Sequence, residues 1–326
     1  MIEYLSPIAQ TQARLERGRQ LANIDNLSHW LPVALTPELG LSWRWIGAQR
    51  LQQPFFADEF KAQPIEQRQF CHTSQEQSRR LLQSGVSLSP AAIIFHSSRC
   101  GSTLLMQLLA CLPQCLSLSE APLLEHGLHA LHHGAPPALL QLLLQALMQR
   151  RFAQEKYAIL KPDCWHLFDF ARLQEALPDC PKYFLYRTPE QVLASHMRQR
   201  GPQMIPGLLP SQRLGFSCDV EYQAWPAWFL QQLFHRALQH AKAGELQLLN
   251  YRQLPDLLWD NLLPAWRIAL EPGQLAQLQE RSTRHAKHGQ AWQGDPHGTA
   301  PAPPALQAAY EALEDWRISR QTPALL

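Results

Sequence analysis

Between residues 89 and 215 short apolar runs alternate with helical patterns, and this alternation restricts the fold more than any other feature of the chain. AAIIF (91–95) has the length and make-up of a strand buried on both faces, and STLLMQLLACL behind it repeats leucines at helical spacing. YAILK (157–161) precedes FARLQEAL (170–177). KYFLYR (182–187) precedes PEQVLASHMRQR (189–200), which has proline in its first turn. A leucine-rich helix is expected over about 137–153. Strand followed by helix, repeated, predicts a parallel α/β sheet. Residues 216–326 read as mostly helical, with one strand at ELQLLNY (245–251), a Pro/Gly-rich loop at 288–305 and a closing helix at 306–320. Residues 1–88 read as a mainly helical N-terminal extension packed on the core. Within it LSWRWIG (41–47) suits a strand or a turn, and Thr73-Ser74-Gln75-Glu76 suits a helix start that Gly85 ends. The α/β domain is therefore expected over 89–326.

Composition removes several classes of function. A chain of 326 residues, 46% hydrophobic, can bury a sizeable core. A formal net charge of +2 gives no whole-surface footprint for nucleic acid, so anion binding must come from local clusters. The apolar stretch ALLQLLLQALMQ (138–149) is too short and too rich in glutamine to span a bilayer. MIEYLSPIAQTQARLERGRQ has no apolar core of a signal peptide, so a cytoplasmic location is expected. The 7 cysteines lack metal-ligand spacing and read as reduced thiols. The 14 histidines form no H-E-x-x-H pattern, and no metal site is expected. Oligomeric state is not legible.

FHSSRCGSTLLMQLLA (95–110) holds the chemistry-bearing turn. A strand that passes through glycine into a helix presents backbone N–H groups at the helix N-terminus, where the dipole favours an anion. Gly101 allows close approach of the backbone, Ser102 and Thr103 add hydroxyl donors, and Arg99 adds a permanent charge suited to oxyanions. The turn is not a Walker A loop: no glycine precedes Gly101 in it, and Ser102 stands where the lysine is required.

Ser98-Arg99-Cys100-Gly101-Ser102-Thr103 resembles the 5′-phosphosulfate loop of sulfotransferases that use 3′-phosphoadenosine 5′-phosphosulfate (PAPS). Ser98 replaces the family's proline, and Cys100 replaces its first serine, removing one hydroxyl donor. Cys100 could also be a thiol of lowered pKa at a helix N-terminus. YFLYRTPEQVLASH (183–196) resembles the family's second signature, in which Arg187 and Ser195 would hold the 3′-phosphate; Thr188 replaces the usual Asp or Asn. LLNYRQLP (248–255) resembles the Tyr-Glu-Asp-Leu segment, placing Tyr251 at the adenine. QERSTRHAKHGQAW (279–292) resembles a late segment of the protein-tyrosine sulfotransferase branch. There Ser282 would sit by the bridging oxygen of the donor, with Lys287 and Arg284 near phosphate, although Lys287 comes one residue early. The resemblance covers about 90–292. It implies a P-loop-like three-layer α/β sandwich with a central parallel sheet, PAPS as donor, 3′-phosphoadenosine 5′-phosphate (PAP) as product, and no metal.

Sulfuryl transfer is an in-line displacement at sulfur, in which the acceptor hydroxyl loses a proton and the leaving phosphate gains charge. The resemblance places Glu120, in LSLSEAPLL, as the base and Lys161, in AILKPD, at the transferring sulfuryl group. Glu120 could equally serve a helix start that begins at Ser119. Asp163 and His166 are further candidates for the base, and His96 reads as structural. The acceptor is expected to be a small molecule rather than a protein, with the tryptophans Trp30, Trp43 and Trp45 and the tract Trp225–Phe234 either lining its pocket or forming core. A small-molecule kinase on a P-loop-like scaffold and a non-catalytic PAP-binding protein are the alternatives.

Overall fold

The computed structural model describes residues 17–209, 214, 220–286 and 300–321. The stretch before residue 89, expected to be mainly helical, carries four strands there: β1 (Arg19–Leu21), β2 (Trp30–Leu35), β3 (Leu41–Trp45) and β4 (Gln69–Thr73), in the order β1-β4-β3-β2. Its α-helix, α1 (Gln75–Gln83), starts where Ser74 indicated: Ser74 Oγ accepts from the Gln77 N–H, and Gln77 accepts from the Ser74 N–H. β2 escapes periodicity because it is buried at every position, so WLPVAL shows neither a two-residue nor a helical repeat. LSWRWIG resolves as strand β3.

The alternation beyond residue 89 gives the expected parallel α/β fold. Strands β5 (Pro90–His96), β6 (Cys115–Ser119), β7 (Tyr157–Lys161), β8 (Lys182–Tyr186) and β9 (Gln247–Asn250) form a parallel sheet in the order β6-β7-β5-β8-β9. Between and after them come α2 (Ser102–Cys111), α3 (Pro122–His132), α4 (Ala138–Leu147), α5 (Phe170–Ala176), α6 (Pro189–Arg198), α7 (Trp225–Lys242), α8 (Gln274–Ser282) and α9 (Pro304–Gln321). The leucine-rich helix stops at Leu147, short of the expected 153. There the chain turns back on residues 86–88, with the Leu88 N–H donating to the Met148 carbonyl and the Arg150 N–H to the Val86 carbonyl. Strand β6, CLSLS, was hidden by its serines. Ser117 is satisfied inside by donating to the Met106 carbonyl at 3.0 Å. The loop expected at 288–305 lies mostly outside the described residues. Among the described residues no helix is long and apolar enough to cross a membrane.

The chain divides into two compact units, Met1–Ala91 with Met106–Pro162, and Ala92–Leu105 with Asp163–Leu326. In the first, α3 and α4 pack on β2, and the fully buried Trp43 donates its indole N–H to Thr73 Oγ1 at 2.7 Å. In the second, Phe234 meets Phe184 and Tyr186 edge to face, and Tyr186 meets Tyr310 in the same way, as α7 packs on α9. Trp30, Trp43, Trp225 and Phe234 are thus core.

Glu59 is buried in the first unit, its Oε1 accepting the Gln53 N–H at 2.6 Å. Burial pushes its carboxyl up to about 7 from an ordinary 4.5. The folded state therefore holds this proton more tightly than the unfolded chain. The resulting stability is fully present below pH 4.5 and is lost as pH rises through about 7. Urea unfolding at pH 4.5 and pH 8 should show Glu59→Gln losing roughly 2–4 kcal/mol less than the wild type over that window. Equal losses would rule Glu59 out as the source.

Candidate active site

Strand β5 ends at His96, and the turn that follows departs from ordinary backbone at three of the next five residues. Ser98 (φ 65°), Arg99 (φ 50°) and Gly101 (φ 85°) are left-handed, whereas Cys100 is not. A turn in which left-handed residues flank one that is not can gather its N–H groups on one side, an arrangement that binds oxyanions. Helix α2 begins at Ser102, so the N–H groups of its first turn, which have no partner inside the helix, lie at the same place. Ser102 is buried and Thr103 half-buried. His96 accepts the Ser98 N–H at 3.1 Å, which is the structural role expected for it. Cys100 is fully buried, and burial pushes its thiol up, contrary to the lowered value a helix N-terminus would give.

Gly101 is glycine for two reasons. Its φ is left-handed, and a Cβ there would lie 2.4 Å from Cδ2 of Tyr251. The same Tyr251 ring lies under the Arg187 guanidinium, 4.3 Å from the ring centre to Cζ. Arg187 leaves the end of β8, is 9% exposed, and donates through Nε to Gln191 Oε1 at 2.8 Å. Tyr251 follows β9, where Asn250 caps a short turn by accepting the Arg252 N–H. One aromatic ring thus touches both the turn after β5 and the arginine after β8. Ser195 is half-buried on α6, two turns beyond Arg187. The set combines a turn with left-handed residues, two guanidinium groups and an aromatic face, groups able to hold anions beside a planar ring.

In the first unit, Glu120 and Lys161 leave the ends of β6 and β7. Ser119 pairs with Lys161 in the ladder, and the Glu120 N–H donates to the Lys161 carbonyl at 2.7 Å. The Lys161 side chain is 0% exposed and that of Glu120 24%. Their Nζ and Oε1 are 2.7 Å apart, and the ammonium lies 5.1 Å from the centre of the Phe55 ring. Glu120 itself is left-handed, at φ 54°, a conformation that costs a residue with a Cβ about 1–2 kcal/mol. It does not start a helix: Ala121 is the N-cap of α3 and Pro122 its first residue. The carboxylate serves Lys161 instead.

Asp163 and His166 form a local cap. The His166 Nδ1 accepts the Asp163 N–H at 3.2 Å, and the ring is buried. Ser282 ends α8 with its hydroxyl donating to the Gln279 carbonyl, and Arg284 pairs with Glu280. Lys287 lies outside the described residues. Sequence reasoning missed Phe55, Gln191, Gln199 and Gln203. Only Gln191 left a signal, four residues beyond Arg187 on a helix.

No family model and no curated protein sequence matches the chain. Solved structures similar to it include the sulfotransferase domain from the curacin biosynthetic pathway, at 17% identity and a TM-score of 0.45, covering 70% of this chain and 99% of that one. The sulfotransferase STF1 from Mycobacterium tuberculosis H37Rv is similar at 14% identity and a TM-score of 0.45, covering 74% and 83%. The sulfotransferase domain of the Synechococcus PCC 7002 olefin synthase is similar at 18% identity and a TM-score of 0.40, covering 73% and 97%. The functional reading is therefore built on the residues of this chain.

The two members of the buried pair should respond unequally to mutation. Glu120→Ala strands an ammonium away from water and should cost about 3–5 kcal/mol in chemical unfolding. Lys161→Met leaves a carboxylate that can still reach solvent, and should cost no more than about 1 kcal/mol. Equal losses would show that the pair is not organised around the lysine.

Proposed function

We propose that this chain is a sulfotransferase that moves the sulfuryl group of PAPS to a hydroxyl or amine of a small molecule and releases PAP. The observation that carries this reading is the Tyr251 ring, which meets Gly101 and the Arg187 guanidinium together. Three segments distant in sequence, each resembling a donor-site signature, thereby join in one contact group.

PAPS supplies the sulfuryl group and a phosphate leaving group. The N–H groups of the turn, with Arg99, Ser102 and Thr103, hold its phosphosulfate. Arg187 and Ser195 hold the 3′-phosphate, and Tyr251 presents its ring to the adenine. Ser282 and Lys287 belong to this set by resemblance alone. Lys161 offsets charge that grows on the leaving oxygen. Glu120, paired with Lys161 and partly open to solvent, takes the proton of the acceptor. Asp163 and His166 are the alternative candidates for the base. No metal is required, because a sulfuryl group carries less charge than a phosphoryl group and the cations of the site can balance it.

Calorimetry with PAP tests the donor half. Wild-type protein should bind in the micromolar range, and Arg187→Ala should weaken binding about 30- to 1000-fold through loss of a buried charged contact. Glu120→Gln should keep PAP affinity and lower turnover on an accepted substrate by at least about 100-fold. Folded wild-type protein that ignores PAP but binds ATP with magnesium would replace this reading with a kinase. PAP binding with turnover unaffected by Glu120→Gln would remove Glu120 as the base.

A further inference from the structure

The turn after β5 is held in its unusual conformation by a segment that no donor-site signature includes. Two adjacent residues with side chains, Ser98 and Arg99, are both left-handed. Left-handed backbone is unfavourable for a residue that carries a Cβ, so the turn relaxes unless something outside it resists. The resistance comes from residues 199–204, which continue from the end of α6. The Arg99 Nη2 donates to the Gln199 carbonyl at 2.9 Å. Gln203 Nε2 donates to Ser98 Oγ at 2.9 Å. Both left-handed residues are therefore tied, one after the other, to the same short strap.

The strap is itself anchored at both ends. The Gly201 N–H donates to His196 Nδ1 of α6 at 3.3 Å. The Gln203 carbonyl accepts the indole N–H of Trp225, the first residue of α7, at 3.0 Å. Gln203 is buried, and its amide lies where a side chain at residue 201 would go. A Cβ on Gly201 would be 2.6 Å from Gln203 Oε1 and 2.8 Å from Nε2. Gly201 thus makes room for the amide that reaches the turn. A buried glutamine whose donor is directed at a strained residue of the anion turn is a supporting part of that turn.

We infer that Gln203 is a positioning residue that holds Ser98 and Arg99 in the conformation aiming the turn at the 5′-anionic end of the donor nucleotide, and that the strap links this turn to α6. The inference rests on the donor reading proposed above. It separates the two ends of the nucleotide: the 5′ end depends on Gln203, and the 3′-phosphate held through Arg187 does not.

The test compares PAP with adenosine 3′-monophosphate, which lacks the 5′-phosphate, by calorimetry on the full chain. Gln203→Met keeps the bulk of the side chain and removes the donor. It should weaken PAP about three- to tenfold, the effect of one neutral hydrogen bond, and leave adenosine 3′-monophosphate unchanged. Gln203→Glu should weaken PAP further, because it puts a carboxylate beside the anion turn. Ser98→Ala removes the acceptor while leaving Gln203 in place, and should reproduce the selective loss if Gln203→Met fails to fold. Equal weakening of both ligands, or unchanged PAP affinity in Gln203→Met and Ser98→Ala alike, overturns the inference. Wild-type protein that binds neither ligand overturns the donor reading and this inference with it.

Discussion

A lysine side chain with no exposed surface has lost its water and needs a partner in the protein, and that requirement organises the ends of β6 and β7. Lys161 closes β7, and the carboxylate comes from the residue after the last rung of β6. The ladder must pair Ser119 with Lys161, since a slip of one residue would turn the lysine to the other face of the sheet. The chain must then turn left-handed at Glu120 to keep the main-chain bond to the Lys161 carbonyl while its side chain reaches the ammonium. A register, a strained residue and a charge pair are therefore one solution to one problem. The Coulomb attraction in such a place is large, but so is the loss of hydration, and the geometry has to be good for the two to balance.

The turn after β5 solves a related problem without a charge pair inside it. Its left-handed residues gather N–H groups, and main-chain donors cannot relax toward a passing water as a flexible side chain can. Rigidity of this kind comes from outside the turn: His96 beneath, the strap beyond α6, and the Tyr251 ring against Gly101. The arginine that shares Tyr251 is held by its own helix through Gln191. Preorganised donors are worth more to a developing anion than donors that must first be assembled.

The sequence made the parallel sheet legible where strands were unbroken apolar runs. AAIIF, YAILK and KYFLYR are apolar through their middles, with lysine or arginine only at the ends, and each is followed by leucines or a proline at helical spacing. CLSLS was not legible, because its serines break the apolar run and Ser117 is satisfied only by a carbonyl inside the fold. β2 was missed because a short strand buried at every position carries no period, β1 and β4 because they are only 3 and 5 residues long, and the end of α4 because distant pairing with residues 86–88 decided it. Within the site, residue types that bear charge or lack a side chain announced themselves: Arg99, Gly101, Lys161, Arg187. Gln203 and Phe55 did not. A glutamine acquires meaning only from the atom its amide meets, and here that atom lies 105 positions away.

Cys100 has a consequence of its own. Where a serine would offer a hydroxyl, this chain places a thiol that is fully covered and held in its protonated form by burial. Oxidants and electrophiles act on exposed thiolates, so the anion turn is chemically quiet while it is closed. The same sulfur becomes a natural clock for the turn: its rate of alkylation measures how often the backbone around Gly101 opens to water.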